Sequence, residues 1–290
     1  MSPTPTVALL GTGIMGAAMG RRILAAGLPL RVWNRSPDKT RPLADAGAEP
    51  ADGPADAVRG ADVVVTMLGD AGHVRDVMTQ AGPGLRAGQV WAQTTTVGVA
   101  PLAGLVELAG RYGLLLVDAP VLGTRAPAEQ GQLLVLAAGP QQARDVVAPV
   151  FDAIGRATVW LADDPAGAAG SRLKLVANSW VLAVTAGVAE ALALADALGV
   201  DPASFLDAVR GGPLDLPYLQ VKAQAIMSRD WTPSFSAANA AKDAELIVAA
   251  ADEAGIRLDV AAAAARRYRR TVEAGHGDAD MAASYLASFG

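Results

Sequence analysis

The chain has 290 residues, of which 52% are hydrophobic and 18% are charged. This composition excludes an intrinsically disordered chain, and the length fits one or two domains with a large buried core. The formal net charge is −5, and no basic run is long enough to follow a phosphate backbone, so we expect no nucleic-acid partner. The chain has no cysteine and two histidines, which excludes disulfides, thiolate metal sites, cysteine nucleophiles and a histidine metal cluster.

The N-terminus and one apolar segment bear on where the protein is located. The first residues lack the basic segment and apolar stretch of a secretory signal, so we expect a cytoplasmic protein. Residues 175–200 are rich in Leu, Val and Ala, but they carry Asn178, Glu190 and Asp196, and no basic flank would orient them in a bilayer. We therefore expect a long buried helix here and no membrane partner.

From the N-terminus to about residue 165, short β-branched runs alternate with helical stretches. Several runs are apolar without alternation, as expected for a parallel sheet that is covered on both faces. The pattern predicts a doubly wound α/β domain over residues 1–165. Its predicted strands are Val7–Leu10, Leu30–Trp33, Val63–Leu68, Gln89–Gln93, Leu114–Asp118, Leu133–Ala137 and Thr158–Leu161, and its helices include Met15–Ala26 and Pro101–Arg111.

After residue 165 the strand signals stop, and residues 166–290 are predicted to form an all-α domain. An unbroken helical stretch runs from about Ala168 to Leu198 and is closed by Gly199. Further helices are predicted to begin near Pro202, Leu219, Ala237 and Val260.

The sequence Gly11-Thr12-Gly13-Ile14-Met15-Gly16 lies between the first predicted strand and the first predicted helix. In a dinucleotide-binding turn the first glycine makes the tight turn, the second lets a pyrophosphate approach the backbone, and the third lets helix and strand pack closely. Free N–H groups of the helix N-terminus then face the anion. Because the spacing occurs in this context, we predict that the loop, including Ile14 and Met15, binds a dinucleotide cofactor; the alternative is a tight structural turn.

The end of the second predicted strand bears on which cofactor is bound. An NAD-preferring fold usually places Asp or Glu here to bind the ribose 2′-OH. The chain instead has the neutral Asn34, followed by Arg35, Ser36 and Lys39. A guanidinium, a hydroxyl and an ammonium would hold a 2′-phosphate that a carboxylate would repel, so these residues predict NADP(H). The alternative is a solvated basic turn.

Arginine supplies nearly all the positive charge, and four lysines interrupt this pattern. Arginine stays charged at any working pH, so each lysine is a candidate for proton transfer. Of Lys39, Lys174, Lys222 and Lys242, Lys174 has the best context, because burial near the start of an apolar helix would move its pKa toward neutrality. Asn178 lies one helical turn later on the same face. The pair is either a proton donor with a substrate-orienting amide or a snorkelling lysine with a capping amide.

Four segments together resemble the β-hydroxyacid dehydrogenase family over essentially the full chain. They are residues 11–19, 118–123, 170–178 and the pair Lys242-Asp243. The family includes 3-hydroxyisobutyrate dehydrogenases, tartronate semialdehyde reductases and glyoxylate/succinic semialdehyde reductases. The resemblance implies a Rossmann-type doubly wound domain of the 6-phosphogluconate dehydrogenase kind, a long interdomain helix and an all-α C-terminal domain that supports oligomerisation. The apolar helix from Leu175 to Leu198 is longer than one small domain usually covers, so we expect a homodimer that exchanges helical surface, with a homotetramer as the alternative.

The resemblance also implies roles for individual residues. Lys174 resembles the family's catalytic lysine, which protonates the carbonyl oxygen as hydride arrives, and Asn178 resembles its substrate-orienting amide. The implied contacts to the nicotinamide side of the cofactor are Met67, Leu68, Thr96 and Lys242.

The implied substrate loop departs from the family's usual sequence. Where the family has Ser-Gly-Gly or Ser-Gly-Ser, this chain has Leu122-Gly123-Thr124, followed by Arg125. A hydroxyl that would bind the substrate carboxylate is lost, which suggests a less polar substrate, although Thr124 and Arg125 could compensate. Ala168 also replaces a glycine. Residues 125–133 and the turn at 33–36 nevertheless look most like the NADPH-using glyoxylate/succinic semialdehyde reductase branch.

The sequence thus predicts an NADP(H)-dependent oxidoreductase that transfers hydride between nicotinamide and a small aldehyde, keto acid or hydroxy acid. Lys174 is the expected proton donor, and no metal is expected. Two alternatives remain open. An imine reductase shares the architecture but generally carries Asp or Tyr where Lys174 stands. A non-catalytic cofactor-binding or scaffold protein would lose the lysine.

Overall fold

The computed structural model describes residues 4–289 and divides the chain into two compact units. The first unit ends at Lys174 and the second begins at Leu175, so the division falls inside one long helix. The predicted domain limits at residues 1 and 290, and the first three residues of the N-terminus, lie outside the described residues.

The first unit is a sheet with helices in the connections between its strands. In the described residues the sheet has nine strands in the order β3-β2-β1-β4-β5-β6-β8-β7, with β9 paired to β8. The strands are β1 Val7–Leu10, β2 Leu30–Trp33, β3 Glu49–Pro50, β4 Val63–Thr66, β5 Val90–Gln93, β6 Leu115–Asp118, β7 Val121–Leu122, β8 Leu133–Ala138 and β9 Gly155–Ala162. The helices are α1 Ile14–Ala25, α2 Arg41–Ala44, α3 Pro54–Val58, α4 Ala71–Ala81, α5 Val99–Tyr112, α6 Arg125–Glu129 and α7 Gln141–Ile154. The order from β3 to β6 is that of a Rossmann-type sheet, which confirms the predicted fold class.

Hydrophobic side chains cover both faces of this sheet. Val7 and Leu9 of β1 pack into one buried cluster, while Ala8 and Leu10 pack into a second cluster on the opposite face. All four residues are fully buried. Successive side chains of a strand point to opposite faces, so a strand buried on both faces needs an uninterrupted apolar sequence. This is why the strand runs lacked alternation.

The structure differs from the predicted elements at both ends of the strand order and in the limits of two strands. Strands β3 and β7 were not predicted, because two residues are too few to carry a periodic signal. β8 pairs antiparallel with both β6 and β7, so the sheet is mixed. The predicted strand Val63–Leu68 ends earlier, at Thr66, and β9 extends beyond Thr158–Leu161 on both sides.

The second unit is helical throughout its named elements, as predicted. Its helices are α8 Ala169–Ala197, which begins in the first unit, α9 Pro202–Val209, α10 Pro217–Ser228, α11 Ala237–Glu253 and α12 Asp259–Thr271. A core that includes Val188, Leu192, Leu219, Ile226 and Tyr285 joins α8, α10 and the C-terminal turn. A buried ion pair joins Lys222 Nζ to Asp280 Oδ1 at 2.7 Å.

The long helix α8 is not buried on all sides, so the expectation of a long buried helix is wrong for one face. Val176, Trp180, Gly187 and Leu194 recur at intervals of four and seven residues and are exposed. We refer to these four residues as the apolar stripe of α8. Within the described residues, Pro165–Ala197 is the segment long and apolar enough to cross a bilayer, and 39% of its most apolar part is buried. The buried face of α8 packs against other residues of the chain, whereas the apolar stripe is exposed on its surface.

Candidate functional site

The glycine loop after β1 owes two of its three glycines to packing within the protein. Gly11 has a φ of +104°, and a Cβ there would lie 2.2 Å from the Met67 carbonyl oxygen. A Cβ at Gly16 would lie 2.0 Å from the Gly11 carbonyl oxygen. Both distances are far below van der Waals contact. The loop is therefore pressed against the end of β4, and any side chain at either position would displace it.

Gly13 has a different environment. Among the described residues, and apart from its immediate chain neighbours, nothing lies within 4 Å of the position that its Cβ would take, and its φ is negative. Gly13 is the N-cap of α1, and no side chain caps that helix. The N-terminal N–H groups of α1 therefore face space that a side chain at residue 13 would fill, a geometry suited to a pyrophosphate. Met15 is half-buried and packs against the hydrophobic core of the first unit, and Ile14 is 40% exposed.

The predicted 2′-phosphate turn is built directly on the glycine loop. Thr12 N–H donates to Asn34 Oδ1 (3.2 Å), and Thr12 Oγ1 donates to the Lys39 carbonyl oxygen (2.9 Å). Asn34 Nδ2 also donates to the Ser36 carbonyl oxygen (3.1 Å). Asn34 thus shapes the turn, while the side chains of Arg35, Ser36 and Lys39 are exposed.

The loops after β4 and β5 are tied together by buried polar groups. Leu68 N–H donates to Thr95 Oγ1 (2.9 Å). Gln93 accepts from Thr95 N–H at 2.9 Å and donates to the Thr95 carbonyl oxygen at 2.8 Å. Met67, Leu68 and Thr96, all predicted cofactor contacts, are half-buried and lie on this braced pair of loops. Sequence reasoning missed the supporting residues Gln93 and Thr95, because their partners lie on another strand or in the following turn.

The predicted substrate loop leaves the sheet at β7. Leu122 pairs with Leu134 in the antiparallel ladder and is half-buried. Gly123 has a φ of +128°, and a Cβ there would lie 2.6 Å from Leu133 Cδ2, so glycine is required. Thr124 precedes α6 without capping it. Arg125 Nε donates to Glu129 Oε1 (2.9 Å), a pairing one helical turn apart that the sequence analysis did not consider.

Lys174 and Asn178 are both buried, at 8% and 6% exposure, on one face of α8. Asn178 Nδ2 donates to Asp243 Oδ2 at 2.7 Å. Lys242 Nζ lies 2.9 Å from Asp243 Oδ1, an ion-pair distance without hydrogen-bond geometry. Asp243 therefore fixes the amide of Asn178 and attracts the ammonium of Lys242. No role was predicted for Asp243, although the Lys242-Asp243 pair is part of the family resemblance.

The start of α8 is held by a carboxylate from the end of β6. Ser171 N–H donates to Asp118 Oδ2 at 2.8 Å, and Ser171 Oγ donates to Asp118 Oδ1 at 2.7 Å. Asp118 has no exposed surface. Burial raises the pKa of its carboxyl to about 6, against the two Ser171 hydrogen bonds, which lower it. Lys174 lies one turn after Ser171 on the same helix.

Comparison with known protein families agrees with this arrangement. Residues 6–162 match the NAD-binding domain of 6-phosphogluconate dehydrogenase, and residues 168–287 match the NAD-binding domain of NADP-dependent 3-hydroxyisobutyrate dehydrogenase. The chain belongs to the β-hydroxyacid dehydrogenase family. The predicted resemblance is thereby confirmed, and with it a nicotinamide cofactor, NAD(H) or NADP(H).

The chain is also similar to individual proteins and solved structures. Glyoxylate/succinic semialdehyde reductase 1 of Arabidopsis thaliana is 30% identical, over 96% of either chain. Human cytokine-like nuclear factor N-PAC is 29% identical, and the chain spans 52% of that protein. Among solved structures, 3-hydroxyisobutyrate dehydrogenase from Salmonella typhimurium has a TM-score of 0.89 at 26% identity, covering 97% of this chain and 99% of that one. A reductive aminase from Aspergillus terreus has a TM-score of 0.60 at 25% identity, covering 99% of this chain and 100% of that one.

Proposed function

We propose that this family member is an NADP(H)-dependent reductase of a small aldehyde or keto acid, reversible toward the hydroxy acid, with Lys174 as the proton donor. The observation that carries the proposal is a buried lysine sharing a helix face with an amide whose orientation is fixed. Bound nicotinamide supplies or accepts the hydride. The remaining requirement is a proton at the substrate oxygen, and Lys174 is the group that meets it.

Lys174 and Asn178 divide this work. The Lys174 ammonium donates its proton to the carbonyl oxygen during reduction, and the neutral amine takes the hydroxyl proton back during oxidation. Arginine could not replace it, because a guanidinium does not release a proton at a working pH. An asparagine amide offers two N–H donors and one oxygen, and Asp243 uses one N–H of Asn178. We assign the second N–H and Oδ1 of Asn178 to orienting the substrate.

The cofactor part of the proposal is a preference for NADP(H) over NAD(H). Thr12 and Asn34 hold the shape of the turn after β2 through hydrogen bonds. This turn exposes three side chains whose chemistry suits a phosphate: Arg35, Ser36 and Lys39. We expect Arg35→Ala to weaken NADPH binding about tenfold and to change NADH binding less than twofold. Fluorescence titration of both cofactors measures this. Arg59→Ala, which removes an exposed arginine paired with Asp56 on α3, is the matched control. Equal losses for NADPH and NADH would contradict the assignment.

The substrate part of the proposal is an aldehyde or keto acid held by residues 122–125. The Arabidopsis relative is named for glyoxylate and succinic semialdehyde, which favours small aldehyde acids. Arg125 is bound to Glu129 but remains exposed, so it could still meet a carboxylate. In this proposal the backbone at Gly123 and the Thr124 hydroxyl also contact the substrate.

An imine is the second candidate substrate, because the reductive aminase shares the architecture and Leu122 presents an apolar side chain. NADPH oxidation with glyoxylate, succinic semialdehyde and a cyclic imine separates the two. The proposal predicts turnover of an aldehyde acid well above that of the imine. Turnover of the imine alone would overturn it, and saturable NADPH binding without any turnover would favour a scaffold protein.

We also propose a cytoplasmic homodimer in which the apolar stripe of α8 is covered by a second copy. Val176 and Trp180 are 66% and 65% exposed, more than a monomer's surface usually leaves on one helix face. Light scattering at micromolar concentration should give twice the mass of one chain, and Trp180→Lys should lower the measured mass toward that of a single chain. A single-chain mass for the unmodified protein would contradict the dimer, and four times that mass would indicate a tetramer.

A further inference from the structure

The first turn of α8 is fixed by three neighbouring residues rather than by one. Ala168, just before the helix, has a φ of 53°, a left-handed conformation that is unfavourable for an L-residue with a side chain. A Cβ on Gly170 would lie 2.4 Å from the Leu136 carbonyl oxygen and 2.8 Å from the Asp118 carbonyl oxygen. Ser171 then gives both its N–H and its hydroxyl hydrogen to the Asp118 carboxylate. The helix start is held tightly against the ends of β6 and β8.

Asp118 is the charged member of this contact. It accepts a backbone N–H from the first turn of a 29-residue helix, where N–H groups otherwise lack partners and the helix dipole favours a negative charge. Its own strand is locked in place, because Asp118 pairs with Gln93 of β5 and with Ala138 of β8. A rigid strand end therefore sets both the axial position and the rotation of the helix.

We propose that Asp118 is a positioning residue for the reaction, which places the Lys174 ammonium by anchoring Ser171 one helical turn earlier. This inference rests on the proposed role of Lys174. Between Ser171 and Lys174 lies a single hydrogen-bonded turn, so a shift or rotation of the helix start is transmitted to the lysine. A misplacement of about 1 Å at a reacting group can lower a rate about 100-fold.

The test compares two substitutions at Asp118 with a matched helix-cap variant. Asp118→Ala removes both contacts to Ser171 and should lower kcat about 10- to 100-fold while NADPH affinity stays within about twofold. In Asp118→Asn the amide oxygen can accept from Ser171 N–H and Nδ2 can donate to Ser171 Oγ, so both contacts can be re-formed without charge. That variant should recover most of the turnover lost in Asp118→Ala.

Asp201→Ala is the control, because Asp201 caps α9 by accepting from Ala203 N–H (2.9 Å) in the second unit. It removes a helix cap of comparable kind and should leave kcat unchanged at equal folded fraction. If Asp118→Ala does not fold, Asp118→Asn combined with Ser171→Ala still tests the idea. That pair leaves the new amide without its hydroxyl partner and should lower kcat below that of Asp118→Asn alone.

The outcomes separate this inference from the proposed function. A wild-type kcat for Asp118→Ala, together with a large loss for Lys174→Ala, would overturn the positioning role and leave the proton donor intact. An unchanged kcat for Lys174→Ala would overturn the proposed function itself. A loss in Asp118→Ala that appears only in KM, with kcat unchanged, would also overturn the positioning role.

Discussion

The two units each bury a carboxylate that accepts two hydrogen bonds from one serine, and they differ in a cation and in the further backbone N–H groups of Phe235 and Ala282 that only Asp280 accepts from. Asp118 accepts from Ser171 N–H and Oγ at 2.8 and 2.7 Å, and Asp280 accepts from Ser234 N–H and Oγ at the same distances. Asp280 has in addition the Lys222 ammonium at 2.7 Å. Burial raises the pKa of Asp118 to about 6; at Asp280 it also opposes the charge, but Lys222 and several hydrogen bonds bring the pKa below its usual range.

Hydrogen bonds from a serine thus do not by themselves offset the burial of a carboxylate, whereas an adjacent ammonium together with a further backbone N–H does. The second unit uses its ion pair to join α10 to the segment after α12, a purely structural task. In the first unit, the Asp118 carboxylate binds the start of α8, the helix that carries Lys174. Three substitutions test how far the contrast holds.

The largest effect is expected when the cation is removed from the second unit. Lys222→Met leaves Asp280 charged and buried at neutral pH, and it should lower the free energy of unfolding by about 3–5 kcal/mol. Urea unfolding at pH 7 measures this. Adding Asp280→Asn to that variant removes the uncompensated charge and should restore part of the loss. A loss below about 1 kcal/mol, or no recovery in the double variant, would show that the pair does not balance the buried charge.

A smaller effect is expected at Asp118. Its stability contribution should change with pH in the opposite sense to that of Asp280, because the pKa of Asp118 is raised and that of Asp280 is lowered. Because its pKa is raised in the folded state, the native protein binds the proton more tightly than the unfolded chain does. Its contribution to stability is fully present below about pH 4 and is lost as the pH rises through about 6. The unfolding free energy of the wild type minus that of Asp118→Asn should therefore fall by about 3 kcal/mol between pH 4 and pH 7.

Urea unfolding of both proteins at four pH values across this range gives the difference directly, since other titrating groups cancel. A difference that rises with pH would mean that the helix N-terminus and Ser171 outweigh burial at Asp118, and the contrast with Asp280 would disappear.

The smallest effect is expected at an exposed helix-capping carboxylate, because water solvates its charge. Asp201 is exposed and caps α9 through Ala203 N–H. Asp201→Ala should lower the free energy of unfolding by about 1 kcal/mol, the usual value of a helix N-cap. The same urea experiment at pH 7 measures it. A loss as large as that of Lys222→Met would show that burial is not what separates these carboxylates.

The sequence was sufficient for features that local patterns encode. The apolar run at Val7–Leu10 and the glycine spacing after it predicted β1 and the loop before α1 to within a residue. The apolar stretch that contains Lys174 predicted α8 with similar accuracy. In each case the signal is a run, a period or a spacing within about thirty residues.

Contacts between distant residues could not be predicted in this way. Asp118 and Ser171 are 53 positions apart, and Asn178 and Asp243 are 65 positions apart. No local pattern links these residues, because the topology of the sheet and the helix packing bring them together. The length of α8 predicted surface for a second copy, but not which residues form the apolar stripe, because an apolar helix face gives the same sequence signal whether the chain itself or another molecule covers it.

The central claim is that Lys174 supplies the proton, and its most direct test is the turnover of Lys174→Ala with saturating NADPH and the preferred aldehyde. The account predicts a fall in kcat of about 100- to 10,000-fold, the range for general acid catalysis, with NADPH affinity unchanged. Turnover at the wild-type rate, with intact NADPH binding, would contradict it.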